Sequence, residues 1–390
     1  MALFFTVLMS LLMPDHYMLP KQRRVRQNNG AEAPAVVSFS ESASFKAGRW
    51  HILDSTERKN RIIIATFIVI LIILMIVSLF LGRMDISLKE LCGIIASEFY
   101  PIEQFWTAQQ EGIILYTRIP RVLLACLVGA CLSSAGATYQ GIFQNPMAAP
   151  DILGASAGAA FGASIAIVND ASGEVIMLSA FFFSILTVMI VYFTSRFASG
   201  SQILGLVLAG VMISSLFSAG TSFIKLIADT DTQLPAITYW LMGSLNGTRM
   251  EDVQFAIIPM LIGLIPLIII RWRINILTVG DAEALTMGVN VRQIRLVAII
   301  ASTLITAASV SVSGMIGWIG LVIPHLSRKM VGNDYKYLMI VSMLFGAVFL
   351  LIVDDISRNL LSTELPLGIL NAFIGVPFFI YLLTRKEGIN

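Results

Sequence analysis

Long apolar runs alternate with short polar segments along most of this chain. A helix needs about 20 mainly apolar residues to cross the hydrocarbon core of a bilayer. Runs near that length recur between residues 61 and 383. Serines and glycines interrupt the apolar stretch between the seventh and eighth runs. The predicted spans are 62–82, 119–139, 152–168, 175–195, 203–224, 253–271, 296–312, 316–331, 337–353 and 367–384. The pattern predicts an all-α polytopic membrane protein with about ten transmembrane helices in one domain, residues 61–390.

The segment 1–60 has a different composition from the rest. Its apolar run over residues 2–13 is too short to span a bilayer, and a basic cluster and a stretch rich in serine and small residues follow. Such a composition is typical of disordered segments. We predict a cytoplasmic, disordered N-terminal tail.

Basic residues indicate how the spans are oriented, because short cytoplasmic loops carry an excess of Lys and Arg. Most of the basic residues lie in alternate loops, close to Arg58, Arg196, Arg273, Arg328 and Arg385. With those loops inside, an even number of spans places both termini in the cytoplasm. We therefore predict a multi-pass membrane protein whose N- and C-termini are cytoplasmic.

Helix packing can also be predicted from small residues. Helices in lipid associate largely through close backbone approach, which Gly, Ala and Ser permit. The second span carries Gly129 and Gly136 among serines and alanines, and the third carries Gly154, Gly158 and Gly162 at four-residue spacing. We expect both spans to be buried in a compact bundle.

Composition excludes several classes of function. The chain is 57% hydrophobic and 13% charged, and its formal charge of +2 is too small to indicate a nucleic-acid partner. Three His and three Cys residues, poorly spaced, predict neither a metal site nor a cofactor.

The sequence contains no phosphate-binding glycine loop and no recognisable catalytic motif, so we expect no enzymatic activity. The spans also carry almost no central carboxylates, which disfavours a cation-coupled secondary carrier, the rival class of transporter.

Several motifs occur in a fixed order along the membrane domain. Residues 118–121 read RIPR, residues 208–220 read LAGVMISSLFSAG and residues 239–245 read YWLMGSL. Residues 314–331 read GMIGWIGLVIPHLSRKMV, and residues 364–383 read ELPLGILNAFIGVPFFIYLL. With these motifs the chain resembles the FecCD-type permeases of ATP-binding-cassette (ABC) importers from about residue 61 onward. The N-terminal tail departs from that family.

The resemblance implies a type II ABC importer permease fold, a location in a bacterial inner membrane and a set of partners. Such permeases form dimers, with a second copy or a homologous permease, around a central path. Two cytoplasmic ATPase subunits drive them, and a periplasmic or lipoprotein substrate-binding protein delivers the cargo. We expect a metal chelate, a ferric siderophore first, with cobalamin or haem as alternatives.

The resemblance also assigns two docking faces. Arg118, Arg121 and Arg358, predicted to lie outside, would pair with carboxylates of the binding protein, since a guanidinium holds a carboxylate through two hydrogen bonds. The alternative is that these arginines anchor helix ends near lipid headgroups. Inside, residues 280–295 would form two short helices that fit a cleft on the ATPase. Their small and apolar residues are Ala282, Ala284, Leu285, Met287, Gly288 and Val289. An exposed apolar patch on such a loop indicates a protein partner, and an interfacial helix on lipid is the alternative.

The translocation path is implied by the same family, in which the second, fifth and tenth spans line it. Candidate residues for the path and its inner gate are Ser201, Gln202, Ser214, Ser218, Gln140 and Asn145. Serine hydroxyls in membrane helices often bond to their own helix, and the two amides can equally pair with neighbouring backbone.

Overall fold

The computed structural model describes residues 39–197, 202–361 and 363–384. Residues 1–38 of the predicted tail and the predicted gate residue Ser201 lie outside the described residues, as does the side chain of Gln202. The described residues divide after Ile63 into two units. In the first unit the backbone is helical from Phe39, within the segment for which the composition predicts a tail.

The described residues form helices, with no strand among them. The helices are α1 (Phe39–Phe80), α2 (Leu88–Ser97), α3 (Ala108–Ile113), α4 (Ile119–Ile142), α5 (Ala155–Val168), α6 (Gly173–Ser195), α7 (Gln202–Ile227), α8 (Gln233–Met242), α9 (Met250–Leu277), α10 (Asp281–Thr286), α11 (Val291–Ser313), α12 (Ile319–Val331), α13 (Tyr335–Asn359) and α14 (Leu367–Thr384). A π-helical turn, Ile114–Arg118, joins α3 to α4, and a 3₁₀ turn, Pro150–Leu153, precedes α5.

Seven of these helical segments are long and apolar enough to cross a membrane. They are Thr56–Phe80, Ala108–Ile142, Gly173–Ser195, Ile203–Ile227, Met250–Leu277, Val291–Ser313 and Tyr335–Asn359. Two shorter apolar helices, Ala155–Val168 and Leu367–Ile380, and the 13-residue α12 coincide with the remaining predicted spans. The prediction of an all-α polytopic bundle is therefore confirmed.

The eighth span differs from its prediction in where it starts. Helix α12 begins at Ile319 instead of residue 316, because the backbone between α11 and α12 leaves the helical conformation. Gly314 has φ +67° and Trp318 has φ +72°, values that interrupt a right-handed helix. A methyl group at Gly314 would lie 2.3 Å from the carbonyl oxygen of Trp240 in α8, so glycine is needed for this contact.

Helix α4 lies at the centre of the bundle. It packs against α9, α11, α12 and α13, and 19 of its 24 residues are buried. A methyl group at Gly136 would lie 1.8 Å from the carbonyl oxygen of Gly320 in α12, and one at Gly129 would lie 2.2 Å from that of Gly346 in α13. The backbones of these helices are thus in direct contact, as expected for the second span.

Helix α5 also packs closely on α6 through glycines. A methyl group at Gly158 would lie 2.5 Å from the carbonyl oxygen of Phe183, and one at Gly162 would lie 2.5 Å from that of Ser179. Both glycines are buried. The predicted burial of the third span is therefore confirmed.

A short amphipathic helix, α2, lies in the connection between the first two spans. The Ser87 hydroxyl accepts a hydrogen bond from the Glu90 backbone, and the Glu90 carboxylate accepts one from the Ser87 N–H at 2.7 Å. This capping box lowers the pKa of the exposed Glu90 carboxyl. Ile94 on α2 is fully buried against a cluster that includes Trp106 and Ile114.

The contact between α4 and α12 predicts an asymmetric response to two Gly→Ala substitutions. Gly136→Ala should destabilise the chain by at least about 1–3 kcal/mol, because the new methyl group must push two backbones apart. Gly112→Ala, in a helical site where no atom of the described residues lies within 4 Å of the new methyl group, should leave stability unchanged or raise it by up to about 1 kcal/mol. Apparent melting temperatures of the purified chains provide the measurement, and equal midpoints for both variants would contradict the packing described.

Candidate docking, path and coupling sites

Arg121 forms a buried ion cluster near the start of α4. Its Nε and Nη2 donate to the Asp354 carboxylate on α13 at distances of 2.9–3.1 Å, and its Nη1 donates to Glu364 Oε1 at 3.0 Å. Arg121 is 4% exposed and Asp354 is completely buried. Glu364 precedes α14, so this guanidinium joins α4, α13 and the entry to α14.

Arg358 extends the cluster toward α1. Its Nε lies 3.3 Å from Asp354 Oδ2, and its Nη2 donates to Asp355 Oδ1 and, at 2.7 Å, to the Ser78 hydroxyl. The Ser78 hydroxyl donates to Asp355 Oδ1 at 2.6 Å. The same cluster therefore also holds the C-terminal end of α1 against α13.

Arg118 binds main-chain carbonyls instead of carboxylates. Its two terminal nitrogens donate to Leu79 O at 2.6 Å, Phe80 O at 3.2 Å and Met84 O at 2.6 Å. The last carbonyls of a helix have no partner within that helix and carry partial negative charge. Arg118 supplies both the donors and the positive charge at the end of α1.

The three arginines predicted for docking thus lie together at one end of the bundle, which the topology predicts to face outward. All three are buried, with exposed fractions of 3–8%. Among the described residues, their hydrogen-bond partners are carboxylates, one hydroxyl and main-chain carbonyls. The docking role itself is untested by this geometry and stays a prediction, whereas the carboxylate pairs of Arg121 and Arg358 give these side chains an intramolecular role that the sequence did not predict.

The amide of Gln140 belongs to a second network at the opposite end of α4. Arg328 on α12 donates to Gln140 Oε1 and, at 3.0 Å, to the Tyr335 hydroxyl. Gln140 Nε2 donates to Leu321 O at 3.3 Å. The partners of Gln140 are therefore side chain and backbone of the bundle. Asn145 is exposed, and its Oδ1 accepts from the Met147 N–H at 2.9 Å in the turn after α4.

The two serines proposed for the path lie on α7. Ser214 is half-buried against the start of α5, since a methyl group at Gly154 would lie 2.3 Å from its hydroxyl. Ser218 is exposed. Large apolar side chains with exposed fractions of 59–81% share this helix, and they are Val211, Met212, Leu216, Phe223, Leu226 and Ile227. On α14, Phe373 is 75% exposed. Both helices thus present unpaired apolar side chains.

Asn371 on α14 was not singled out from the sequence. Its side chain is completely buried, and neither its amide nitrogen nor its oxygen has a hydrogen-bond partner in the described part of the chain. A buried amide without partners is costly. The only sequence signal is one asparagine inside the apolar run LGILNAF, which makes this residue a further candidate for the path.

The segment 280–295 forms one short helix, α10, where the resemblance implied two. The second part merges into α11, because the Asn290 side chain accepts a hydrogen bond from the Gln293 N–H at 3.1 Å and so caps that long helix. Gly288, with φ +76°, makes the turn between them.

The apolar residues of this segment divide into an inner and an outer group. Ala284 is buried and Val289 is half-buried, while Ala282 and Gly288 are exposed. Leu285 and Met287 are each 63% exposed.

Arg295, 3% exposed, donates to Asp281 Oδ1 at 2.8 Å and so fastens α10 to α11. Movement of α10 would therefore be transmitted to a membrane-spanning helix.

A groove of about 580 Å³ adjoins this segment at the end of α9, and Trp272, Met287 and Gln293 are among its lining residues. Within the described residues, no group of three or more His, Cys, Asp or Glu side chains is placed to hold a metal ion. The apolar surface around Leu285, Met287 and the groove is suited to a protein partner and not to ligation of a bare ion.

Comparisons with known proteins cover nearly all of this bundle. Residues 70–385 match the FecCD transport family. The chain is 40% identical over 321 residues to a probable iron chelatin transport system permease protein of Helicobacter pylori, covering 82% of this chain and 97% of that protein. It is 37% identical over 323 residues to a molybdate import system permease protein of Haemophilus influenzae, covering 82% and 95%.

A solved structure shows the same fold. It is an inward-facing conformation of a metal-chelate type ABC transporter, 36% identical, with a TM-score of 0.74 over 83% of this chain and 99% of the other.

Proposed function

The chain belongs to the FecCD transport family, and from that premise we propose that this multi-pass ABC importer permease carries a ferric siderophore across a bacterial inner membrane. Cargo would be delivered by a binding protein outside and moved by alternating access while partner subunits hydrolyse ATP. Cobalamin and haem are alternative cargoes of the same type. The relatives support a broad range, since one is named for iron chelatin and another for molybdate.

The observation that carries this proposal is the apolar surface of segment 280–295. Leu285 and Met287 are mostly exposed on a loop between two membrane helices, where an unpartnered loop is normally polar. The Arg295–Asp281 ion pair connects this surface to α11. A cytoplasmic ATPase that binds here would therefore have a mechanical link into the membrane domain.

The placement of charge favours an external energy source. A cation-coupled carrier is expected to hold carboxylates near the midplane of the bilayer. The buried carboxylates of the described spans, Asp354 and Asp355, lie in the last turns of α13 and are paired with arginines. This pairing is typical of a structural ion cluster. A proton or sodium relay would need carboxylates that are free to bind the cation.

A second permease copy is the partner that we propose for the unpaired faces of α7 and α14. The large apolar side chains on α7 and Phe373 on α14 are exposed in the single chain. Ser218 lies on the exposed part of α7, and the amide of Asn371 lies inside α14. A dimer formed through these helices would place polar groups of both copies beside a shared path.

We also propose that the binding protein docks on the end of the bundle that holds Arg118, Arg121 and Arg358. Because Arg121 is held by Asp354 and Glu364, a carboxylate of the binding protein must displace one of them. Glu364 is the more accessible partner, with 22% of its side chain exposed against 0% for Asp354. Docking would then exchange one carboxylate of Arg121 for another.

This exchange predicts that Glu364→Gln strengthens docking. The variant frees one face of Arg121, so affinity for the binding protein should rise by about tenfold, the effect of one hydrogen bond to a charged group. Glu103→Gln removes the same charge from an exposed residue in the connection after α2 and should change affinity far less. Titration of the purified chain with its binding protein at two salt concentrations tests this, and docking unchanged or weakened in Glu364→Gln would refute the exchange.

The coupling surface predicts a loss of assembly without a loss of fold. Leu285→Asp and Met287→Asp should each weaken binding of the ATPase by about 30-fold or more, the size of an interface hot spot. Melting temperature should hardly change, because both side chains are 63% exposed. Phe99→Asp, at a 78% exposed site in the connection between the first two spans, is the matched control and should bind normally. Normal ATPase binding by both coupling variants would contradict the proposal.

A further inference from the structure

A groove between α6 and α11 opens on the outside of the bundle. It has a volume of about 380 Å³ and is lined by residues within 185–193 of α6 and 296–304 of α11, almost all of them apolar. Met189, Phe193 and Ile300 in this lining are 50–58% exposed. Both helices are membrane spans by length and composition. The groove therefore faces hydrocarbon, and its lining residues belong to none of the surfaces proposed for docking, coupling, dimerisation or the path.

The lining residues form one stripe on each helix, and both stripes end in an arginine. On α6 they recur every three or four residues as far as Tyr192 and Phe193, and Arg196 continues the stripe. On α11 the stripe begins at Leu296, and Arg292 lies one turn earlier on the same face. Because successive spans alternate in direction, the C-terminal end of α6 and the N-terminal end of α11 are at the same membrane surface.

Arg196 already lies over the end of the groove. Its guanidinium carbon is 4.9 Å from the centre of the Tyr192 ring and 5.8 Å from that of Phe193. Its Nη2 donates to the Tyr192 hydroxyl at 3.1 Å. The guanidinium is exposed, so it has donors left for a ligand beside the two rings.

The two helices that line the groove carry basic and no acidic residues at this end. Helix α11 contains no acidic residue, and the only acid in α6 is Glu174 at its opposite end. Arg292 is exposed in the first turn of α11, where the helix dipole adds partial positive charge. The two acids that precede α11 lie on α10, where Asp281 is paired with Arg295 and Glu283 is exposed. An anion is the complementary ligand, and an apolar groove beside it requires that the anion carry a hydrocarbon chain.

We propose that this groove is a binding site for one anionic phospholipid of the adjoining leaflet. One acyl chain lies between α6 and α11, and the phosphate binds between Arg196 and Arg292. Basic clusters between membrane helices at a cytoplasmic surface suit such headgroups. The site is independent of cargo and of the proposed path, so it is testable whether or not the transport proposal holds.

Lipid retention by the full-length chain tests the role of the arginines. The chain is purified from nanodiscs of equal phosphatidylglycerol and phosphatidylcholine, and native mass spectrometry counts the bound lipids. Arg196→Gln and Arg292→Gln should each lower the preference for phosphatidylglycerol about fivefold, and the double variant about 25-fold, since one arginine near an anionic surface contributes about that much. Arg273→Gln is the matched control, because Arg273 stacks on Trp272 at the same membrane surface but outside the groove.

A second pair of variants leaves the charges intact and tests the groove itself. Ile300→Trp should fill it and abolish the preference for phosphatidylglycerol, while Ile262→Trp, at a 59% exposed position on α9, should preserve it. The proposal is overturned if the wild-type chain retains both lipids equally, if Arg273→Gln acts like the double variant, or if Ile300→Trp has no effect. Disulfide cross-linking of Ile300→Cys between two copies would also overturn it, because the groove would then be a protein interface. If the arginine variants fail to fold, the comparison of Ile300→Trp with Ile262→Trp tests the proposal by itself.

Discussion

The direct backbone contact of α4 with α12 and α13 is the constraint on which the other features depend. In lipid there is little hydrophobic gain when two helices meet, so their association relies on close packing. Gly136 and Gly129 allow the α4 backbone to touch Gly320 and Gly346. With those contacts made, α4 can place Arg121 at one membrane surface and Gln140 at the other. These residues are 19 positions apart, about 28 Å along a helix and close to the thickness of the hydrocarbon core.

Two polar networks lie at the two ends of this central helix. At one end Arg121 and Arg358 are bound to Asp354, Asp355 and Glu364, and at the other Arg328 is bound to Gln140 and Tyr335. Breaking a buried ion pair typically costs about 3–5 kcal/mol, so the Arg121–Asp354 pair keeps the ends of α4 and α13 together. The path that we propose along α7 and α14 would offer hydroxyls and the Asn371 amide. In that proposal the path carries a bulky chelate, and a partner subunit supplies the energy for transport.

Much of the fold was predictable from the sequence because the signals are local. Apolar runs of bilayer length predicted the spans, and small residues predicted the burial of α4 and α5. The partners of Arg121 were not predictable, since Asp354 and Glu364 are 233 and 243 residues away and meet it only after the bundle forms. The same applies to the burial of the three arginines, which a topology based on charge places at a surface. The second coupling helix was expected and is absent because the Asn290 cap starts α11 early.

Uptake into sealed vesicles tests most directly whether this chain is a path powered by another subunit. The permease is reconstituted with its ATPase and binding protein, and entry of a labelled ferric siderophore is measured with haem, cobalamin and molybdate as competitors. Our account predicts uptake only when the ATPase can hydrolyse ATP, with no uptake driven by a proton or sodium gradient alone. Gradient-driven uptake by the permease without ATP would contradict it.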